Sequence, residues 1–288
     1  MASRIVISEF MDAPAVETLR ARFDVDYRPK LVDDAAALEA ATSLKAVGRL
    51  GVGLDNIDLA ACAARSIEVI PATGANAESV AEYVVTAALL LLRGAYGSSK
   101  AVEAGTWPRQ MLSQGREASG KTLGLVGVGS IGRLTARKAL ALGMRVIAHD
   151  PHVPASADAW RELGTPPCAL DELLRESDVV SLHVPLVAET RGLLSRERLW
   201  LMKRDAIVIN TARGGIVDEK ALAAMLREGR LGGAALDVFE QEPLPAGSPL
   251  VGAPRLLLTP HIAGVTVESN ERVSALIAER IAALLAPT

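Results

Sequence analysis

The sequence is poor in the residues that mark several classes of protein. Aromatic residues make up 3% of the 288 positions, and there are only 2 cysteines. Cys62 and Cys168 are isolated, with no C-x-x-C pair and no metal-ligand spacing. A disulfide framework is therefore not indicated and no metal is expected. We expect both cysteines to be buried reduced thiols, as in a cytoplasmic protein.

Charge and hydropathy exclude two further classes of partner. The formal net charge is −3, and no run of Lys and Arg occurs, so neither nucleic acid nor an acidic membrane is an expected partner. The longest apolar stretch, Val80–Leu92, contains Glu82 and is too short to span a membrane, so we expect a buried helix there. The first residues, MASRIVIS, lack a signal-peptide pattern and predict a strand.

Half of the residues are hydrophobic, and short apolar runs alternate with helical patterns. This alternation predicts an α/β protein with parallel sheets. The length permits one large or two medium domains. From residue 121 to residue 259 we count six predicted strands, enough for a doubly wound sheet. Region 94–120 is less regular than the rest of the chain.

Residues 121–150 read KTLGLVGVGSIGRLTARKALALGMRVIAHD. A buried strand leads into Gly127, Gly129 and Gly132, and a helix, a second strand and Asp150 follow. In a dinucleotide site, these glycines permit a tight turn, approach of the pyrophosphate to the backbone, and close helix–strand packing. Amides at the helix start favour phosphate charge. The alternatives are an ordinary glycine turn, or a site for FAD or S-adenosylmethionine.

Asp150 decides which nicotinamide cofactor we expect. It follows Gly132 by eighteen residues, where an acid accepts hydrogen bonds from the ribose hydroxyls. A carboxylate there repels a 2′-phosphate. We therefore expect NAD rather than NADP.

Three polar residues follow predicted strands, at the edge where open α/β sheets bind ligands. Arg213 can clamp a carboxylate with two hydrogen bonds, and His261 can donate or accept a proton. Glu242 can orient the imidazole. These types suit hydride transfer between NAD and a hydroxy acid. Taken singly, each has a plainer interpretation: a surface ion pair for Arg213, a solvated loop acid for Glu242, and a core or cap histidine for His261.

The sequence also resembles the D-isomer-specific 2-hydroxyacid dehydrogenases, and among them the D-3-phosphoglycerate dehydrogenases. The resemblance rests on GRLGVGLDNID (48–58), GANAESVAEYVV (74–85), GKTLGLVGVGSIG (120–132), SLHVPL (181–186), INTARGGIVDEKAL (209–222), GAALDVFEQEP (233–243) and TPHIAG (259–264). It implies NAD-dependent interconversion of a small 2-hydroxy acid and its 2-keto acid. It implies a Rossmann cofactor domain over residues 94–264, and a smaller flavodoxin-like substrate domain over residues 1–93 and 265–288.

The resemblance further implies roles for individual residues. The catalytic set would be Arg213, Glu242 and His261. The substrate would be bound by Arg49, Val52, Gly53, Arg213 and His261. The cofactor would be lined by Gly127, Gly129, Ser130, Ile131, Gly132, Asp150, His183, Pro185, Thr190, Thr211, Ala212, Asp237, His261 and Gly264.

Arg49 has two interpretations that the sequence leaves open. It either approaches a second anionic group on the substrate, such as a phosphate or sulfonate, or forms a structural ion pair. The resemblance also implies a homodimer, and the apolar stretch Val80–Leu92 and the segment around Trp107 are candidates for its buried surface.

One departure from the family pattern lies between Ala41 and Leu44. The family carries a further strand and helix there, whereas this chain passes from a predicted Ala-rich helix, beginning at Asp33 or Asp34, almost directly to a strand. The first domain would then be one βα unit short. This departure leaves an inactive shortened family member as an alternative to the enzyme. A second alternative is an NADH-binding scaffold like the C-terminal-binding-protein corepressors, which are similar over the same motifs.

Overall fold

The computed structural model describes residues 3–29, 43–54, 57–94 and 97–286. The chain forms two compact units, one of Met1–Ser79 with Gly264–Thr288 and the other of Val80–Ala263. The sequence placed the first domain boundary at residue 93, whereas the compact units divide after residue 79. Within the described residues, no helix has the length and apolar character needed to cross a membrane.

The described residues of the first unit contain four short strands. These are β1 (Arg4–Ile7), β2 (Asp24–Tyr27), β3 (Ala46–Arg49) and β4 (Glu68–Pro71). They form two separate parallel pairs, β1 with β2 and β3 with β4. Among the described residues, no strand joins β1 to β3. The pairing fits a flavodoxin-like domain that lacks one βα unit.

Two helices close the core of the first unit. Helix α1 (Ala13–Arg20) and the last helix, α11 (Val267–Leu284), bury Leu19, Val273 and Ile277 against Ile7 and Ile70. A third and shorter helix, α2 (Leu59–Ala64), begins at Asp58, whose side chain accepts a hydrogen bond from the Ala61 amide at 2.8 Å.

Asp12 precedes α1, but its side chain makes no capping hydrogen bond. Its backbone amide instead donates to Ser274 Oγ at 3.0 Å. The predicted Ala-rich helix starting at Asp33 or Asp34 lies outside the described residues.

The second unit is built on one six-stranded parallel sheet. Its strands are β5 (Thr122–Val126), β6 (Arg145–His149), β7 (Val179–Leu182), β8 (Ile207–Asn210), β9 (Gly233–Leu236) and β10 (Leu256–Leu258). Their spatial order is β10-β9-β8-β7-β5-β6, and every pair is parallel. The doubly wound sheet expected from the sequence is therefore confirmed.

Helices cover both faces of this sheet. The described helices of this unit are α3 (Ala77–Arg93, from Val80 onward in this unit), α4 (Ser98–Glu103), α5 (Arg109–Leu112), α6 (Ser130–Ala141), α7 (Asp158–Leu163), α8 (Leu170–Glu176), α9 (Arg196–Leu201) and α10 (Glu219–Arg227). Side chains of α3, α6 and α7 share one buried cluster with Leu123 and Ile207, and those of α8, α9 and α10 share another with Val180 and Val208. Neighbouring strand residues thus point into opposite cores, as strand geometry requires.

The sequence analysis missed three short helices. Two of them, α4 and α5, lie in region 94–120, and α7 follows Asp150, where no helix was predicted. The apolar helix was predicted correctly. It is α3, whose Val84 and Leu91 are buried in the core of the second unit.

The strand order also fixes where a ligand can bind. From β5 the chain crosses to β6 on one side and then returns to β7 on the other, so the crossover direction reverses between β5 and β7. Open α/β sheets bind ligands beyond the carboxyl ends of the strands at such a reversal. Gly127 directly follows β5, and His183 directly follows β7.

Candidate active site

Gly127, Gly129 and Gly132 follow β5 and form what we call the glycine cradle. The space around the Cα atom differs from one of these glycines to the next. Gly127 has φ of 102°, and a Cβ there would lie 2.5 Å from the His183 carbonyl oxygen. A Cβ on Gly132 would lie 2.3 Å from the Gly127 carbonyl oxygen. At Gly129, in contrast, nothing lies within 4 Å of an added Cβ. The outer two glycines are needed for close packing, and the middle one faces open space, which suits a pyrophosphate against the backbone of a dinucleotide site.

Asp150 is tied to this cradle by its carboxylate. Asp150 Oδ2 accepts a hydrogen bond from the Val128 amide at 2.9 Å, and Oδ1 accepts one from the His152 amide at 3.0 Å. Each carboxylate oxygen keeps a second lone pair for a further donor. The acid is therefore oriented by the backbone beside the glycine motif, in keeping with the expected ribose contact.

His183 packs under the glycine cradle as a neutral side chain. Its amide donates to the Val126 carbonyl at 2.7 Å, and its Nε2 lies 3.0 Å from Ser181 Oγ. Loss of solvent around the ring lowers the pKa of His183 to about 4. The ring is therefore uncharged at neutral pH and adds no positive charge near the phosphates.

Four other expected cofactor residues lie on the loops that follow β7 and β8: Pro185, Thr190, Thr211 and Ala212. Thr190 Oγ1 accepts from the Val187 amide at 2.8 Å and closes the loop that contains Pro185. Thr211 follows β8, and its Oγ1 is buried without a hydrogen-bond partner in the described structure. An unpaired buried hydroxyl is costly, so Thr211 suits a site that a polar ligand group completes.

Arg213 stands on a turn organised by Asn210, a residue not singled out from the sequence. Asn210 is buried at the end of β8, where its side chain accepts from the Ala212 amide at 3.0 Å and donates to the Arg213 carbonyl at 2.8 Å. The Arg213 guanidinium donates to the Ala212 carbonyl at 2.6 Å. A strand-end asparagine in N-T-A-R-G-G was the available signal.

The predicted Glu242–His261 pair forms in the structure. His261 Nδ1 lies 2.8 Å from Glu242 Oε2, and Glu242 Oε1 accepts from the Phe239 amide at 3.0 Å. The side chain of His261 is 50% exposed, so a small molecule can reach the ring. Because the carboxylate accepts at Nδ1, the other ring nitrogen, Nε2, is the one placed to exchange a proton.

A buried acid that the sequence analysis missed supports the Glu242 loop. Glu219, the first residue of α10, accepts from the Glu240 amide at 2.7 Å. Desolvation by burial raises the pKa of Glu219, and the neighbouring charges of Glu240 and Glu242 add to the rise. Gly214 approaches the same loop closely, since a Cβ there would overlap the Phe239 carbonyl.

The expected substrate residues of the first unit follow β3. Arg49 ends that strand and pairs with Glu9 through Nη1 and Oε2 at 3.0 Å, whereas its Nε is buried without a partner. Val52 is exposed and Gly53 is half-buried on the turn that follows. In this structure Arg49 therefore makes an ion pair, which was one of its two interpretations.

Gly264 is the expected cofactor residue that lies in the first unit. Its carbonyl oxygen accepts a hydrogen bond from Ser269 Oγ at 2.7 Å.

Residues 85–263 match the family model for the NAD binding domain of D-isomer specific 2-hydroxyacid dehydrogenases. This chain belongs to that family. It is an NAD-dependent 2-hydroxyacid dehydrogenase, and the glycine cradle and Asp150 are the features that fit the cofactor.

Similar proteins agree with this assignment. The chain is 52% identical to the (S)-sulfolactate dehydrogenase of Chromohalobacter salexigens, across 94% of this chain and 95% of that protein. It is 39% identical to the D-3-phosphoglycerate dehydrogenase of Methanocaldococcus jannaschii, across 86% of this chain but only 47% of that protein. The crystal structure of a glyoxylate reductase from Paecilomyes thermophila superposes with a TM-score of 0.86 and 28% identity, covering 99% of this chain and 95% of that one.

The length of one alignment bears on the shortened first unit. The alignment with the sulfolactate dehydrogenase extends over 295 positions, more than the 288 residues of this chain. The relative therefore carries residues that have no counterpart here, in keeping with an absent βα unit.

Proposed function

We propose that this enzyme interconverts a 2-hydroxy acid of D configuration and its 2-keto acid, with a substrate that carries a second anionic group, as 3-sulfolactate does. The contact between His261 Nδ1 and Glu242 Oε2 at 2.8 Å carries the proposal. It orients an accessible imidazole as a proton donor and acceptor at the sheet edge that bears the cofactor cradle. NAD supplies the chemistry of hydride transfer.

Each side chain of the proposed catalytic set has one task. In the reductive direction, His261 gives its Nε2 proton to the substrate carbonyl oxygen, and in the oxidative direction it takes the hydroxyl proton. Glu242 holds the ring in place through the contact at Nδ1. Arg213 binds the substrate through its planar guanidinium, which lysine cannot reproduce. The amides of Val52 and Gly53 receive the substrate carboxylate in this proposal.

The stereochemistry of the sulfolactate relative agrees with a D-specific family. At C2 of sulfolactate, the sulfur-bearing arm outranks the carboxyl group, because the first point of difference compares sulfur with oxygen. In lactate the carboxyl group outranks the methyl group. This exchange of priority turns an (R) label into an (S) label for the same spatial arrangement. (S)-sulfolactate therefore has the arrangement of D-lactate, which is (R)-lactate. The same approach of hydride and proton therefore serves both substrates.

A panel of 2-keto acids with NADH tests the reaction. We expect 3-sulfopyruvate and 3-phosphohydroxypyruvate to exceed pyruvate and glyoxylate in kcat/KM. His261→Ala should lower the single-turnover rate of hydride transfer by about two to four orders of magnitude, as expected for a lost general acid. Its matched control is His152→Ala, which removes an exposed histidine. Wild-type protein that binds NADH but turns over no keto acid would refute the proposed function.

Arg49→Ala tests the anionic group. If the guanidinium binds a sulfonate or phosphate, kcat/KM should fall by about ten- to a hundredfold for acids with that group and stay constant for the others. Arg4→Ala, which breaks the exposed Arg4–Asp26 pair of the same unit, is the control. An equal loss for every acid would instead leave Arg49 as the structural partner of Glu9.

We also propose that the enzyme is a homodimer. Trp107 is 77% exposed, and Met111 and Val102 on neighbouring short helices are exposed as well. Large apolar side chains exposed along one segment of the chain are candidates for an association surface. Light scattering should give twice the monomer mass at micromolar concentration, and Trp107→Ser should weaken the association. A monomer mass for the wild-type protein would contradict the proposal.

A further inference from the structure

His261 is held in a backbone conformation that it would not adopt freely. Its φ is 57°, in the left-handed region that residues other than glycine rarely occupy. Its amide donates to the Asp237 carbonyl at 2.8 Å and to the Thr259 carbonyl at 3.0 Å. A strained residue in an active site persists only when its surroundings fix it, so the loop around His261 must be held by other groups.

The carboxylate of Asp237 is one of those groups. Asp237 is 1% exposed, and its Oδ1 and Oδ2 accept from the Ile262 amide at 2.8 Å and the Ala263 amide at 2.7 Å. The two residues after His261 are thereby fixed to the end of β9. Asp237 was expected to line the cofactor, and in this structure its carboxylate also binds the histidine loop.

A hydroxyl chain leads from Asp237 to helix α3. Thr259 Oγ1 donates to Asp237 Oδ1 at 2.6 Å, and Tyr83 Oη lies 2.5 Å from Thr259 Oγ1. A threonine hydroxyl has one proton, and the carboxylate takes it. Tyr83 must therefore be the donor to Thr259. Burial and the nearby charge of Asp237 raise the pKa of Tyr83, so its proton is retained at neutral pH.

We propose that Tyr83 and Thr259 are positioning residues for His261: through the Asp237 carboxylate, their hydroxyls fix the loop that keeps His261 in its left-handed conformation. The inference rests on the proposed function of His261 as the proton donor. Neither residue touches the reacting atoms in this scheme. Both act by restricting where the imidazole can lie.

Three substitutions separate this role from simple packing. Tyr83→Phe keeps the ring and removes the donor, Thr259→Val keeps the shape and removes the hydroxyl, and Thr259→Ser keeps the hydroxyl. We expect the single-turnover rate of hydride transfer to fall about tenfold in the first two variants, the scale of a lost buried hydrogen bond, and to stay near wild type in the third. The dissociation constant for NADH should not change, since the cradle lies at Gly127–Gly132.

The matched control is Tyr27→Phe. Within the described part of the chain, the hydrogen bonds of Tyr27 Oη are long contacts with Met11, at 3.4 and 3.5 Å, and Tyr27 lies in the other unit. Combining Tyr83→Phe with Thr259→Val should cost no more than Thr259→Val alone, because Tyr83 acts through Thr259. Adding Tyr83→Phe to His261→Ala should cost nothing further. Additive losses in either combination would overturn the proposal.

A measurement without substrate keeps this inference distinct from the proposed function. Hydrogen exchange at the Ile262 and Ala263 amides should accelerate in Tyr83→Phe and Thr259→Val, but not in Thr259→Ser. If His261→Ala has the wild-type rate, the catalytic proposal fails while the exchange data still report on the loop. Unchanged exchange in Tyr83→Phe, or faster exchange with an unchanged rate of hydride transfer, would refute the positioning role.

Discussion

The two units of this protein use parallel strands in opposite ways. In the second unit, all residues of β5, β7, β8 and β9 are buried between two helical layers. In the first unit, β2 and β3 contain no fully buried residue, and the four strands of its described part form two separate pairs. A continuous parallel sheet buries its central strands on both faces. The first unit instead depends on α1 and α11 for much of its core.

This difference indicates which unit of the protein tolerates the loss of a strand. A central strand in a parallel sheet has two neighbours, so its removal opens two edges at once. The first unit fits such a removal and still buries a cluster that contains Leu19, Ile70 and Ile277. The second unit carries the cofactor cradle and the proposed catalytic set on one uninterrupted sheet. Three experiments test this contrast.

The largest expected effect comes from matched core cavities. Leu173 in the second unit and Leu19 in the first are both almost wholly buried. We expect Leu173→Ala to lower the free energy of unfolding by about 4 kcal/mol and Leu19→Ala by about 2–3 kcal/mol, because the half-exposed strands around Leu19 can relax into the cavity. Urea titration measures the losses, and exposed Leu140→Ala is the control. Equal losses would show that the two cores are equally rigid.

Acid should act on the second unit first, because all four histidines lie there. The pKa of His183 is about 4 in the folded protein and 6.5 in the unfolded chain, so its contribution is complete above pH 6.5 and is lost as pH falls towards 4. The loss is up to about 3 kcal/mol, and less to the extent that water reaches the ring. His183→Asn should flatten the dependence of stability on pH in this range.

The first unit has a pKa shift of the same sign, but it acts in a lower pH range. A hydrogen bond from Arg28, with help from Arg4, lowers the pKa of Asp26 below 3.8. Its contribution is present above that pH and is lost only under more acidic conditions. Calorimetry between pH 6.5 and 4 should therefore show the His183 effect in the second unit alone. A His183→Asn variant with the wild-type pH profile would contradict the assignment.

The smallest effect is expected from matched glycines. A Cβ on Gly124 would lie 2.1 Å from Ser177 Oγ and 2.6 Å from Leu173 Cδ2, whereas one on Gly48 would lie 2.6 Å from Ile277 Cγ2. We expect Gly124→Ala to cost about 2–3 kcal/mol and Gly48→Ala about 1 kcal/mol, since overpacking is worse in the more rigid core. Gly247→Ala, with open space around its Cβ, is the control. Adding Ser177→Ala should recover part of the Gly124→Ala loss.

Local patterns in the sequence determined much of this protein. The glycine spacing, the strand before it and Asp150 after it predicted the cofactor fold, because each feature depends on a few neighbouring residues. The polar residues after the strands likewise predicted the pairing of Glu242 with His261. Short helices such as α7 were missed, since a few residues carry too weak a periodic signal.

Only the tertiary structure decided how His261 is held. The hydroxyl chain joins Tyr83 on α3 to Thr259 after β10 and Asp237 after β9, residues far apart in the sequence. No local pattern marks any of these bonds, because each depends on where the sheet places its strand ends. The split of the first unit into two strand pairs is of the same kind: local residues specify a strand, and the available neighbours decide which strand it pairs with.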